Sequence, residues 1–295
     1  MWVFFIVLLP PAIFALTNLI DKFLVSGDED DSSPSVLMAT GALFNALFTV
    51  PILIFILVKG NFVFSLPLFL NGIIFSISIW LYLYLLVKED VNIVVVWFQF
   101  IPVFGLIGGY IFLKEFLGPF EMAGIFLVVI GSLFLSFKKG KIDKRIIVLG
   151  LVSTLLLTIN DVIFAFYGRE TTIANALFSD IFGKGFWGFF FLLSSNVRLN
   201  FVKTIRTKFK IQSFNEIAFI IGDALFDVGK IFAPVAIVQA FAATQPIFVF
   251  IGDFFVKKFK PHLFKYEEQE KTGKLVFLGI LVVVIGGIII SLRIS

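Results

Sequence analysis

The sequence has no cysteine and a single histidine, His262. Disulfides, thiol nucleophiles and cysteine-ligated metals or clusters are thereby excluded, and a lone imidazole in a charged connection makes a poor metal site. Neither a metal nor a cofactor is expected. Charge is scarce too: Asp, Glu, Lys and Arg make up 15% of the chain against 59% hydrophobic residues, with 42 Phe and a mean hydropathy of +1.05. An ordinary soluble domain carries roughly 25% charged residues, so this composition excludes one. There is no glycine-rich phosphate loop between a strand and a helix and no nucleophile with its base, which leaves soluble enzyme chemistry without a foothold. The net charge of +4 does not point to nucleic acid, because Lys and Arg sit mostly in short connections beside apolar spans, where topogenic anchoring accounts for them.

What the chain does have is apolar runs of about 18 or more residues from end to end, each long enough to cross a bilayer. The fold class is read as an all-α polytopic membrane protein with about ten transmembrane helices, integral and multi-pass, in the cell inner membrane if the source is bacterial. The spans are expected near 2–25, 35–58, 66–87, 91–113 and 119–137, then 146–167, 172–194, 217–236, 237–256 and 275–292. The opening run has no basic residue before it and no small-residue cleavage pattern after it, so it reads as a span rather than a signal peptide. A basic connection, 138–145, separates residues 1–137 from 146–295, giving two repeats of five helices each.

The two halves resemble one another in order and spacing. The stretch from Gly124 to Gly131 reappears almost letter for letter from Gly279 to Gly286. Pro102 and Pro246 fall at like places, each followed twelve residues later by a lysine, Lys114 and Lys258, so that the offset is 144 both times. An odd number of spans per half means that the second copy enters the membrane upside down, and inverted repeats of this kind mark secondary transporters. Proline in a span also deletes a backbone hydrogen bond, so paired helix kinks at Pro102 and Pro246 point to a central site.

Charges inside spans are costly and need a partner or a wet cavity. Here they are uneven: the second half carries Asp161, Asp180, Lys184, Asp223, Asp227, Lys230 and, nearer a membrane surface, Asp253, while the first half offers mainly Asn18, Asn45 and Gln99, with Asp21 and Lys22 late in span one. Asp180 and Lys184 are four apart on one helix face and can neutralise one another. Asp223 and Asp227 are also four apart, and Lys230 offsets only one of them; a proton shared by two close carboxylates makes proton coupling a hypothesis. The competing reading pairs Asp227 with Lys230 and leaves Asp223 to a helix cap or to water. Asn160 and Asp161 are expected to face Asn18 across the pseudo-twofold axis, with interhelical hydrogen bonding as the simpler role for the Asn residues. Gln99, just before Pro102, and Gln239 and Gln245, before Pro246, stand where a polar substrate would be held. The deep charges leave an excess of two negatives, which favours a cationic or zwitterionic solute. Gly105 and Gly109, and Gly183, Gly185 and Gly188, are read as packing positions.

The run from Leu81 to Asn92, the segment Trp97-Phe-Gln-Phe-Ile-Pro-Val-Phe, the triplet Leu113-Lys-Glu115 and the stretch Gly124 to Gly131 together resemble the EamA-type repeat of the drug/metabolite transporter superfamily. The likeness returns from Ala233 to Phe248 and from Gly279 to Gly286. It implies ten helices from a duplicated five-helix unit, alternating access, and export or import of small metabolites. It places Pro102, Pro246 and Glu115 at positions of recurrent family residues, while Phe259 stands where the second half often has Glu.

The function expected is therefore a secondary transporter for a small polar metabolite or drug-like solute, with proton coupling as an option. A lipid-linked precursor flippase is the alternative, and an integral membrane enzyme acting on lipid a more distant one. The partners expected are a small-molecule substrate, protons if coupling holds, and the lipid bilayer; nucleic acid is not expected, and monomer and homodimer both stay open. Of the 24 Lys and Arg, 18 fall on the side of the odd-numbered connections and 4 on the other. The positive-inside rule then puts both termini outside, whereas the resemblance implies the cytoplasm; the charge bias is taken to decide.

Overall fold

The computed structural model describes residues 2–25, 33–89, 91–136, 144–259 and 273–294. Residues 137–143, most of the expected basic connection, and His262 lie outside the described residues. Helices form where uninterrupted Leu, Ile, Val and Phe fill the runs: α1 (Trp2–Val25), α2 (Pro34–Lys59), α3 (Leu66–Lys88), α4 (Val91–Phe98), α5 (Ile101–Gly108), α6 (Pro119–Ser136), α7 (Lys144–Gly168), α8 (Ile173–Phe190), α9 (Ser195–Phe232), α10 (Val235–Ala242), α11 (Gln245–Phe259) and α12 (Gly273–Ile294). A π-helical turn, Gly109–Leu113, extends α5. Among the described residues seven helical segments are long and apolar enough to cross a membrane, and Pro119–Phe134 and Phe277–Ile290 are shorter apolar helices. The fold is all-α and polytopic.

Spans four, six, eight and nine differ from the sequence reading. Spans four and nine are each two helices, broken at Gln99–Phe100 and at Ala243–Thr244. Pro102 and Pro246 therefore do not kink a continuous helix. Each is the second residue of a new one, where a missing N–H costs nothing because the first turn has no intrahelical acceptor to use it. The basic stretch from Arg198 to Lys210 is helical and continuous with the eighth span, since no Gly or Pro interrupts Ser195 to Ile221. At 38 residues α9 is about 57 Å long, well beyond the roughly 30 Å hydrocarbon core. It ends at Phe232, so Ala236 belongs to α10. Lys144 and Arg145 likewise belong to α7 rather than to a loop.

The same bounds recur at a fixed offset. The end of α3, both ends of α4 and the start of α5 are followed 144 residues later by the end of α9, both ends of α10 and the start of α11. The turns at the breaks match as well: Phe100 N–H donates to Trp97 O and Val103 N–H to Phe100 O, as Thr244 N–H donates to Phe241 O and Ile247 N–H to Thr244 O.

Packing relies on small residues, as it must where lipid removes the hydrophobic drive between helices. The near-identical stretches of α6 and α12 cross antiparallel. A Cβ on Gly131 would lie 2.8 Å from Gly279 O, and one on Gly286 would lie 2.7 Å from Gly124 O. Gly183 lies directly under the Phe69 carbonyl and Gly188 under that of Met38, which seats α8 against α3 and α2.

Candidate functional site

One face of α9 carries the site. Glu216, Phe219, Asp223, Asp227 and Lys230 recur at helical spacing; Asp223, Asp227 and Lys230 are buried, and Glu216 is half-buried on a cavity wall. Lys184 of α8 reaches this face. Its ammonium lies 2.5 Å from Asp180, 2.5 Å from Asp223 and 3.5 Å from Asp227, and 4.2 Å from the Phe75 ring centre. Three carboxylates thus share one ammonium, and the pairing of Asp180 with Lys184 alone is corrected to a four-member cluster. Asp180, Asp223 and Asp227 have oxygens close enough together to hold a metal ion, but the lysine nitrogen takes that position.

Lys230, 1% exposed, pairs with Asp227 on its own helix and at 2.7 Å with Asp161 of α7. It also sits 4.7 Å from the Phe226 ring centre. Asp161 accepts a second bond, 2.7 Å, from Gln239 Nε2 of α10. Gly105 makes that possible: a Cβ there would overlap the Gln239 carboxamide. Its role is room for a side chain rather than the backbone packing expected. The dyad of Asp223 and Asp227 is bridged by Lys184 and flanked by Lys230, so both lysines compensate it, not Lys230 alone. Six buried charges, four Asp and two Lys, keep a formal excess of two negatives.

Two cavities open on this network. The larger, of about 100 Å³, lies between the two helix breaks and is lined by Asn18, Gln99, Asp161, Gln239, Gln245 and aromatic residues including Phe98 and Phe226. The smaller, of about 60 Å³, is lined by Asp21, Asn45, Lys184, Asn215, Glu216 and Asp223 among others. Phe75, Ile79, Tyr82 and Phe219 line both, forming a thin partition. Asn18 accepts from the Tyr82 hydroxyl at 2.8 Å.

Not every expected residue faces a cavity. Asn160 turns away, donating to the Asn71 carbonyl at 3.1 Å, and so ties α7 to α3 instead of facing Asn18. Asn45 borders the smaller cavity but donates its amide to Gly41 O of its own helix, 2.9 Å away. Asp180 stands behind Lys184, held by Asn71 Nδ2 at 3.0 Å. Sequence reasoning passed over Asn71, Tyr82, Asn215 and Glu216. Glu216 follows the basic stretch and reads as surface; only its place on the Asp223–Asp227 face gave it away.

One face of the bundle is closed by an ion pair. Glu115 accepts from Arg169 at 2.6 Å and from the Val235 backbone N–H at 2.8 Å, and Arg169 also donates to the carbonyls of Lys230 and Ala233. The first half is thus fastened to the start of α10, beside the Lys230 cluster.

Residues 1–137 match the model of the EamA-like transporter family. No curated protein sequence matches the chain. Among solved structures, one described as "Crystal structure of protein" superposes with a TM-score of 0.66 at 11% identity, over 99% of this chain and 96% of its own. At that identity the likeness concerns fold alone. The family match covers a little under half of the chain, and over residues 1–137 the protein is similar to the EamA-like transporter family.

Proposed function

We propose that the protein is a secondary transporter moving a small polar metabolite or drug-like solute by alternating access, with residues 1–137 and 146–295 as inverted five-helix repeats that rock about the cavity between the helix breaks. The observation that carries this reading is that cavity, where Gln99, Asp161, Gln239 and Gln245 converge between the two helix breaks. Broken backbone at membrane depth is tolerated where protein buries it or a cavity receives it, and breaks at corresponding places in two halves favour a substrate site. About 100 Å³ is less than the roughly 150 Å³ cavity that binds benzene, so loading a larger solute requires the halves to part. Asp161 on the wall and the net negative cluster behind it select a cationic or zwitterionic solute over an anion. The same two excess negatives supply a route for proton coupling: a cation arriving at Asp161 displaces protons held by the cluster.

The test is transport by sealed proteoliposomes given a metabolite mixture, with and without an imposed pH gradient. A cationic or zwitterionic solute should move, faster with the gradient, and Asp161→Asn should abolish it. Movement of anions alone, or of lipid-linked sugars alone, would overturn the reading.

A further inference from the structure

We infer that Asp21, Asn215 and Glu216 form a second, oxygen-lined site that takes one small hard monovalent cation, Na⁺ or a proton carried as hydronium. It borders the lysine-neutralised cluster, whose Lys184 and Asp223 share the cavity wall, and lies on the opposite side of the Tyr82 partition from the substrate cavity. Cation binding itself is independent of the proposed transport function; only its role in coupling rests on that reading.

The two carboxylates meet from α1 and α9 at the 60 Å³ cavity. Among the described residues neither has a basic partner. Asp21 accepts from Asn215 Nδ2 at 2.6 Å and from the Tyr82 hydroxyl at 3.2 Å; Glu216 accepts from Gln212 Nε2 at 3.1 Å. Glu216 also lies against α2, where Gly41 leaves it room: a Cβ there would stand 3.1 Å from Oε2. The nearby cations are otherwise engaged. Lys22 turns its ammonium to the carbonyls of Leu86 and Glu89, at 2.8 and 3.1 Å. Lys184 on the cavity wall is held by Asp180, Asp223 and Asp227. Besides Glu216, Tyr82 faces Asp21 among the described residues, and it donates.

A second observation points to a ligand. Asn215 is 3% exposed, borders the cavity, and its Oδ1 is buried with no hydrogen-bond partner. An unpaired amide oxygen on a residue that lines the same cavity as two carboxylates asks for positive charge, since carboxylate and carbonyl oxygens are the ligands hard cations take and a buried acceptor left empty is costly. Neutral donors already offset part of each carboxylate, so one positive charge suffices.

Tyr82 links this site to the substrate. Its single hydroxyl proton faces both Asn18 Oδ1 in the larger cavity and Asp21 Oδ2 in the smaller one, at 2.8 and 3.2 Å. A cation on Asp21 commits that proton to Asn18; an empty site draws it back. Substrate-cavity polarity thus depends on cation occupancy.

The test uses the purified full chain in detergent. Its melting temperature is followed across a Na⁺ series balanced with choline at alkaline pH, then across an alkaline-to-acid series without Na⁺, and radiolabelled Na⁺ is counted at equilibrium. Saturable stabilisation by Na⁺ with about one ion bound per chain identifies the metal as the ligand. Stabilisation by mild acid with no Na⁺ response identifies the proton. Asp21→Asn and Glu216→Gln should each remove the response, while Tyr82→Phe should keep it. No response to either cation, a response to divalent ions alone, or one that survives both carboxylate substitutions overturns the proposal. If a variant fails to fold, Na⁺ counting and the acid series on the unaltered chain decide. Failure of transport in vesicles leaves these readouts unchanged, so the two ideas fail separately.

Discussion

Replacing Lys184 by Met removes the ammonium shared by Asp180, Asp223 and Asp227 while keeping an apolar stem beside Phe75. Breaking a buried ion pair costs about 3 to 5 kcal/mol, because the partner charge is left uncompensated. Asp227 retains Lys230, but Asp180 and Asp223 lose their cation altogether, which places the loss near the top of that range, about 5 kcal/mol. At roughly 2 °C or more per kcal/mol for a chain of this size, melting in detergent should fall by about 10 °C. The loss should be larger at alkaline than at acid pH, since protonating a stranded carboxylate relieves it. Adding Asp223→Asn restores the original charge count and should recover at least half of the loss. Thermal melting followed by size-exclusion chromatography reads both. A Lys184→Met protein that melts within about 2 °C of the original, or a double variant less stable than the single one, would refute the claim that this lysine neutralises the cluster.

Three further outcomes follow from the same geometry. Gly105→Val should push Gln239 off Asp161 and reduce transport far more than stability, which should fall by about 1 to 3 kcal/mol as overpacking does; melting and vesicle uptake together separate the two. Glu115→Gln should cost about 1 kcal/mol or less, because its pair with Arg169 is partly exposed, yet should loosen that face. The cysteine-free background lets Ala242→Cys report it: a membrane-impermeant thiol reagent should react faster at that position when Glu115→Gln is present. A reporter fused after Ser295 that is active only in the cytoplasm should stay silent, as the bias of 18 basic residues to 4 requires.

Helix positions were legible because each apolar run is an unbroken hydrophobic signal, and most spans lie within two or three residues of where that signal puts them. The paired interruptions were legible from Pro102 and Pro246, although proline alone does not tell a kink from a break followed by a new first turn. The length of α9 was hidden because Arg198 to Lys210 has the charge of a surface loop, while Lys, Arg and Gln are also good helix formers. Local spacing found the pairs within α8 and α9, but it could not find Lys184 reaching Asp223 from another helix, nor Gln239 filling the space above Gly105. Those contacts depend on how distant helices dock, and no short stretch of sequence encodes that. Asn160 shows the same limit from the other side: polar and deep in a span, it serves α3 rather than the cavity.

The central claim is that the cavity at the helix breaks receives a small positively charged or zwitterionic solute. The most direct measurement is a mass-resolved comparison of solutes retained by vesicles containing the native chain, vesicles containing Asp161→Asn, and protein-free vesicles. A cationic or zwitterionic compound should accumulate in the first alone. Equal retention in all three, or accumulation of anions unaffected by the Asp161 substitution, would contradict the claim.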